Sequence, residues 1–469
     1  MNVGNAGMLK YIMVAAAIML LLPSAIQMAR EEDVLLGEES YYHVRIAQEI
    51  AAGDVPQYDE LSYGGRLYQF SPYHLMLAPF LLGGARFAAI VVPLALGLFT
   101  LYCIYRIGRL LEIERGMVYG AMLLLIITPV FMNAFSTLNA ASGFVALIAA
   151  ASLLFLDRGR LPFVLALLLF SIAVFFGVGE VAMVILLALG YYLWKGDRRC
   201  FVVVLVTTTI AAIYYISMVA ALGIPEIPPP ELSGGIISEL GQAGGISLFL
   251  LLLAGIGVII TWREKHRFWA AYAGIILLIA AQRFNKAGSL YLLFFLVLFA
   301  AKAYATILRM RWEVPLIRRA TIAMVAVGLL FAAGLQVTNA QQHIRGEVQQ
   351  ALGHIRGLPG DTMLSHYRYG FIIEEVAQKR AVVDSNAWYA PNLRQRFADV
   401  NQTFMSRDLA QVRKNLAKYD VDYVLITPKM RQGLVWDRER QGLLFLLRNN
   451  ETFKRAYQVD GVEVWEVIG

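Results

Sequence analysis

The segment Gly37-Glu38-Glu39-Ser40-Tyr41-Tyr42-His43-Val44-Arg45 gathers two adjacent carboxylates, two phenols, an imidazole and a guanidinium just after the first apolar run. Glu38 and Glu39 are hard oxygen donors of the kind that hold Mg²⁺ or Mn²⁺, a cation that can bridge substrate phosphates. The alternative is a solvated helix start, where acids sit well against the N-terminal dipole. Glu239, in Gly235-Ile236-Ile237-Ser238-Glu239, shares an acidic loop with Glu226 and Glu231 and is either a second functional acid or a solvated loop residue. Arg283 and Lys286 separate two short apolar stretches. They suit a lipid-linked phosphate gripped through charge-assisted hydrogen bonds, or they snorkel to ordinary headgroups. Glu180 stands alone in the apolar stretch 161–194 and is expected at an outer turn, where its charge is tolerated. There is no P-loop, no paired-glycine fingerprint, no His-Glu-x-x-His and no Cys/His cluster, so nucleotide and zinc chemistry have no support.

The elements that must position these groups are membrane spans. With 58% hydrophobic residues and a mean hydropathy of +0.59, the chain is too apolar for a soluble globular protein. Crossing the hydrocarbon core takes about 20 apolar residues, because every backbone amide must be satisfied internally there. Spans are expected at 11–28, 87–105, two within 116–156, two within 161–194, then 200–225, 240–262, 268–282, 287–301 and 320–344, about eleven in all. The run 74–85 is too short and is expected to lie in the interface or to dip in and return. Both cysteines, Cys103 and Cys200, fall in or beside apolar runs, so the polar tail cannot be stapled by a disulfide. The net charge is +7, but the basic residues are divided between short loops and the tail rather than gathered in one patch, which argues against nucleic-acid binding.

Orientation follows the positive-inside rule. With the N-terminus cytoplasmic, the inner segments hold 17 Lys and Arg and the outer loops 6. An odd number of spans then places the tail outside, together with the acidic first loop 29–86. The division expected is a transmembrane domain over 1–344, including that loop, and an extracytoplasmic α/β domain over 345–469. The latter shows strand-like 362–365, 381–384, 422–426 and 461–468 between helical 369–380 and 408–418. Two sequons, at Asn401 and Asn450, lie in this tail and are expected to meet an outward-facing glycosylation machinery.

Taken in order, these motifs resemble the catalytic subunit of oligosaccharyltransferase, most closely its archaeal form, within the GT-C class of polyprenyl-dependent glycosyltransferases. Glu38-Glu39-Ser40-Tyr41-Tyr42-His43-Val44-Arg45 is similar to the family's Asn-Asp-Pro-Tyr-Tyr-His-Leu-Arg, which implies a metal-binding acid at Glu39. Asp59-Glu60-Leu61-Ser62-Tyr63 resembles the motif that follows it. Ile236-Ile237-Ser238-Glu239 resembles the loop whose glutamate holds the acceptor. Arg283-Phe284 resembles the pair that meets the lipid phosphate, with Lys286 and Arg45 the further cations expected there. Ser365-His366-Tyr367-Arg368-Tyr369-Gly370, followed by Ala381-Val382-Val383-Asp384-Ser385-Asn386, stands where the family reads its acceptor, which implies acceptor contacts from His366, Tyr367, Arg368 and Tyr369. Two motifs depart. Where the family has a second pair of acids this chain has Ser136 to Asn139, leaving only Asn139 as a weak metal ligand. The family's Trp-Trp-Asp is here His366-Tyr367-Arg368.

The resemblance implies a multi-pass membrane enzyme, with a divalent cation, that moves a sugar or oligosaccharide from a polyprenyl phosphate or pyrophosphate to a protein or glycan acceptor on the outer face. Membrane lipids are its other partners. Two alternatives stay open: a monosaccharide transferase fed by a polyprenyl monophosphate, favoured by both departures, and a non-catalytic lipid-binding accessory protein.

Overall fold

A computed structural model of the chain describes residues 3–30, 32–226, 237, 245–281, 287–340, 346–386 and 388–468. Its elements run α1 (Val3–Ala29), α2 (Glu38–Ala51), β1 (Tyr58–Asp59), β2 (Arg66–Leu67), α3 (Pro72–Leu77), α4 (Ala85–Leu110), α5 (Arg115–Ile126), α6 (Pro129–Ser136), α7 (Ala140–Leu156), α8 (Arg160–Ala173), α9 (Val178–Lys195), α10 (Arg199–Leu222), α11 (Leu248–Thr261), α12 (Lys265–Ala281), α13 (Gly288–Arg309) and α14 (Pro315–Ala340). The tail adds α15 (Gly346–Arg356), β3 (Thr362–Leu364), α16 (Gly370–Ile372), β4 (Arg380–Ala381), α17 (Leu393–Met405), α18 (Leu409–Lys418), β5 (Tyr423–Ile426), β6 (Phe453–Val459) and β7 (Val462–Val467). They form two compact units, one of residues 1–36, 70–221 and 233–342, the other of 37–69, 222–232 and 343–469.

The first unit is a helical membrane domain. Among the described residues six helices are long and apolar enough to cross a membrane, or seven if the bent pair α5 and α6 is one span, and three shorter apolar helices accompany them. Each run expected to span overlaps a described helix, although fewer than the eleven expected pass this test of length and composition. The run 74–85 is split between α3 and a 3₁₀ turn over Ala78–Gly83, and neither piece can span. The stretches 268–282 and 287–301, expected to be short, belong to the longer α12 and α13, because Lys265 at one end and Lys302 and Arg309 at the other continue the helices past the uncharged run. The 67° bend between α5 and α6 has a local cause. Pro129 opens α6, and a proline drives the residue before it out of helical geometry; Thr128 is accordingly extended, with ψ 130°. Large apolar side chains such as Ile213 and Ile216 on α10 and Val164 and Leu168 on α8 are exposed, as expected of helices whose outer face meets lipid. Phe131, Phe135, Phe144 and Phe299 fill the interior.

The second unit is built on a five-stranded sheet in the order β4-β3-β5-β7-β6. β3 pairs in parallel with β4 and β5, whereas β7 is antiparallel to β5 and β6. Helices α15, α17 and α18 accompany it, so the tail is α/β as its sequence suggests. The expected helix over 369–380 is shorter, consisting of α16 and a single wide turn over Ile373–Ala377. β6 carries no clean alternation and was not legible; its register breaks between Arg455 and Tyr457. The sequence division placed the first outer loop with the membrane domain, but its segment 37–69 folds with the tail. Ala381 of β4 donates to Leu61 O at 2.9 Å and accepts from Tyr63 N at 3.1 Å, so the loop adds a bridge to the sheet edge. Both sequon asparagines are exposed, whereas their threonines are not. Thr403 Oγ1 donates to Asp399 O, and Thr452 Oγ1 accepts from Arg413.

Candidate active site

Gly37 enters α2 with φ 78°, a left-handed conformation that favours glycine. The helix then buries Ser40, Tyr41, His43, Val44 and Arg45 and leaves Glu38 and Glu39 part-exposed in its first turn. The carboxylates thus meet the positive end of the helix dipole while their neighbours anchor the helix. Ser385 Oγ donates to Glu38 Oε1 at 2.6 Å. His43 lies one turn beyond Glu39, and burial pushes its imidazole down to about 4 against the opposing charge of Glu39, so the ring is neutral at physiological pH.

Beneath α2 is a buried lattice of charges. Arg45 Nη2 donates to Asp59 Oδ2 and to Glu374 Oε2, both at 2.8 Å. Arg66 donates through Nη2 to Asp59 Oδ2 at 2.5 Å and through Nη1 to Asp384 Oδ1 at 2.6 Å. Ser62 Oγ completes Asp384 at 2.9 Å. Arg396, also buried, donates from Nη1 to the carbonyls of Tyr63 and Val382. The rings of Tyr42 and Phe371 stack at 4.9 Å, with the Arg66 guanidinium 5.3 Å from the first centroid and 5.7 Å from the second. Burial alone would raise Asp59, but Arg66 and Arg45 outweigh it and hold the carboxyl below its usual range. Burial, reinforced by Asp384, raises Glu374 well above the usual range. Removing one member of such a lattice strands a buried charge, at a cost of about 3–5 kcal/mol. Its members come from the first loop and from the tail, so it fastens one to the other.

The lattice changes the role expected of Arg45. It is 4% exposed and its guanidinium is held by carboxylates, so it supports α2 and is not presented to a phosphate. In the tail motif, His366, Tyr367 and Arg368 are half-buried and form a surface, with the rings of His366 and Tyr367 4.2 Å apart. Burial, with Arg368 beside it, lowers His366 to about 3. Tyr369, expected at the acceptor, is instead a core residue whose hydroxyl accepts from Thr427. Gly370 permits the close approach that joins the two tail motifs: a Cβ there would come within 2.6 Å of the Val383 carbonyl and of Asp384 Cβ.

In the membrane unit, Asn139 caps α7, its side-chain oxygen accepting from Ala141 N at 2.8 Å; that oxygen serves the helix rather than standing ready for a metal. Glu180, expected at an outer turn where its charge is tolerated, stands in the first turn of α9, where it is buried and accepts from the Tyr291 hydroxyl at 2.6 Å. Glu239, Arg283 and Lys286 lie outside the described residues. Glu374 and Ser385 were missed as site-supporting residues. Ser385 lies within the Ala381–Asn386 motif, but nothing in the local pattern ties either residue to a partner more than 300 positions away.

No family model matches this sequence, and no curated protein matches it. Solved structures do. The Archaeoglobus fulgidus oligosaccharyltransferase AglB, in complex with an inhibitory peptide and a dolichol-phosphate, superposes with a TM-score of 0.61 at 13% identity, over 98% of this chain and 74% of that one. The same enzyme in complex with zinc and sulfate gives 0.63 at 13% identity, over 97% and 73%. ArnT from Cupriavidus metallidurans, bound to undecaprenyl phosphate, gives 0.51 at 11% identity, over 97% and 98%. At these identities the likeness is one of fold: the chain is a polytopic helical membrane protein of GT-C architecture with a sheet-containing C-terminal domain.

Proposed function

We propose that this chain is a membrane glycosyltransferase that moves a sugar or oligosaccharide from a polyprenyl phosphate or pyrophosphate to an acceptor on the outer face. The observation that carries the reading is the buried lattice through which tail residues Glu374 and Asp384 grip the first loop and hold the Glu38-Glu39 turn on a rigid support. Charged residues are buried at this density where a group must be placed firmly. The shared fold with AglB and ArnT supports it.

Glu39, with Glu38 beside it, would hold a Mg²⁺ or Mn²⁺ ion. Among the described residues there is no group of three His, Cys, Asp or Glu around it, so a bound cation would need water and substrate phosphate oxygens as its further ligands. Such an ion, when bound, supplies charge stabilisation to the departing phosphate. The residues of the chain do the rest. Arg283 and Lys286 grip the lipid phosphate. By the same resemblance Glu239 contacts the acceptor, as do His366, Tyr367 and Arg368. His43, neutral and buried, keeps a second positive charge away from Glu39. In this reading the N-terminus is cytoplasmic and the sheet domain extracytoplasmic.

The test is transfer by the purified chain in lipid, supplied with metal and polyprenyl-linked donors. Glu39→Gln should lower transfer by about 100-fold or more, the scale on which removing one stabiliser of transition-state charge acts, with the melting temperature unchanged. Full activity in the variant removes the claim. A second reading, transfer of one sugar from a polyprenyl monophosphate, is favoured by the capping role of Asn139 and by His366-Tyr367-Arg368 in place of an aromatic-acid triplet. Product masses obtained from monophosphate and pyrophosphate donors separate the two.

A further inference from the structure

The three carboxyls of the buried lattice are not equally supported. Asp384 accepts three hydrogen bonds, from Arg66 Nη1 at 2.6 Å, Asn386 N at 2.7 Å and Ser62 Oγ at 2.9 Å. Asp59 Oδ2 accepts two, from Arg66 at 2.5 Å and from Arg45 at 2.8 Å. Glu374 accepts one, from the same Arg45 Nη2 that serves Asp59, and its Oε1 is buried with no hydrogen-bond partner among the described residues. Glu374 and Asp384 are 0% exposed and Asp59 2%. The charges that act on Glu374 are those of Asp384, Arg45, Asp59 and Arg66, two anions against two cations, so an ionised Glu374 would add a third anion. Arg396 directs Nη1 to the carbonyls of Tyr63 and Val382 and acts on Asp384. Around the turn that carries Glu374, Glu49 of α2 and Arg356 of α15 act on the next residue, Glu375, while Arg380 of β4 is exposed and α16 brings no charge. A carboxylate held out of water by a single donor is costly, and such a group neutralises instead.

We propose that the lattice holds one proton, carried on Glu374 Oε1, and that this proton lets the first loop and the tail close on each other without a surplus buried negative charge. Oε2 stays free to accept from Arg45. The proton is taken from water as the domain folds and returns to it on unfolding, which makes the clasp sensitive to pH on the alkaline side. An acid that is neutral when folded and ionised when unfolded binds more protons folded. Its contribution is therefore full below the unfolded value and is lost as pH rises through the raised folded one. Beyond that point Glu374 ionises, and residues 37–69 loosen from the tail. The clasp works in this way whether or not the chain transfers sugar.

The experiment uses the full-length chain in a detergent without ester groups and carries Glu375→Gln throughout, so that the neighbouring acid contributes nothing. Subtracting the infrared spectrum of Glu374→Gln from that of its parent at about pH 7 should leave the carbonyl stretch of one neutral carboxyl, shifted in D₂O. Glu374→Gln keeps an oxygen that can accept from Arg45 and cannot ionise. It should melt within about 2 °C of its parent at about pH 7 and clearly above it at about pH 9. Asp59→Asn and Asp384→Asn remove charges that Arg45 and Arg66 need, and each should melt about 5 °C or more below the parent. Absence of the carbonyl band overturns the proposal. So does a Glu374→Gln protein that melts as low as the two aspartate variants or fails to fold, because the fold would then require the ionised form. A neutral-carboxyl band lost in Asp59→Asn or Asp384→Asn but kept in Glu374→Gln places the proton elsewhere and overturns it too. A melting difference between Glu374→Gln and its parent that is no larger at about pH 9 than at about pH 7 removes the alkaline sensitivity and the proposal with it.

Discussion

Glu375 follows Glu374 on the turn that faces α2, and burial lifts its carboxyl to about 7 despite the opposing charges of Arg45 and Arg356. An acid whose folded pKa exceeds its unfolded value, here 4.5, binds more protons folded than unfolded between the two. Its contribution to stability is therefore full below about pH 4.5 and is lost as pH rises through about 7. Glu375→Gln, which cannot ionise, should melt above the wild type near pH 8, and the gap should close toward about pH 4.5. Thermal unfolding of both proteins across that range decides it, and a gap independent of pH would place Glu375 in solvent. At this scale the sequence was informative where chemistry is local. The paired acids of Glu38-Glu39 and the run His366 to Arg368 announce themselves by type. The partners that fix Arg45 do not, because Glu374 and Asp59 are chosen by the fold and not by spacing.

Between elements, α11 and α13 approach each other closely. A Cβ on Gly257 would fall 2.0 Å from the carbonyl oxygen of Phe299, a backbone atom that cannot rotate away. Only a hydrogen lets the two helices meet, the device by which small residues allow close packing in membranes. Gly257→Ala should therefore destabilise by about 1–3 kcal/mol, the scale of overpacking a core. Gly255→Ala, whose Cβ meets nothing within 4 Å, is the control. Melting in detergent distinguishes them, and equal melting temperatures would mean that the helices are not packed this way. That these runs are helical was legible, since an uncharged apolar run leaves a chain in lipid no other backbone solution. Their ends were not, because α12 and α13 continue through charged residues that hydropathy counts as loop. The bend at Pro129 was not anticipated: it falls inside an uncharged run, where Thr128 loses helical geometry before a proline.

On the scale of the whole chain, the first loop and the tail are parts of one folded unit, joined by the bridge of Ser62 to Ala381 and by Arg66 between Asp59 and Asp384. Residues 37–69 lie between α1 and α4, and residues 343–469 follow α14, so a compact unit made of both requires them to share a side of the membrane. The charge bias of the loops is the ground on which we propose that this side is the outer one. The chain is well suited to a direct test, because both of its cysteines, Cys103 and Cys200, are buried. Single reporters at exposed sites, Glu60→Cys in the loop and Glu439→Cys in the tail, should both react with a membrane-impermeant maleimide in intact cells. Labelling of both only after lysis would invert the orientation and move the proposed transfer to the cytoplasmic face, leaving the folded unit intact. Labelling of one before lysis and the other only after it would be more damaging, since Arg66 cannot bind Asp384 across a bilayer, and the support assigned to Glu38 and Glu39 would fall with it.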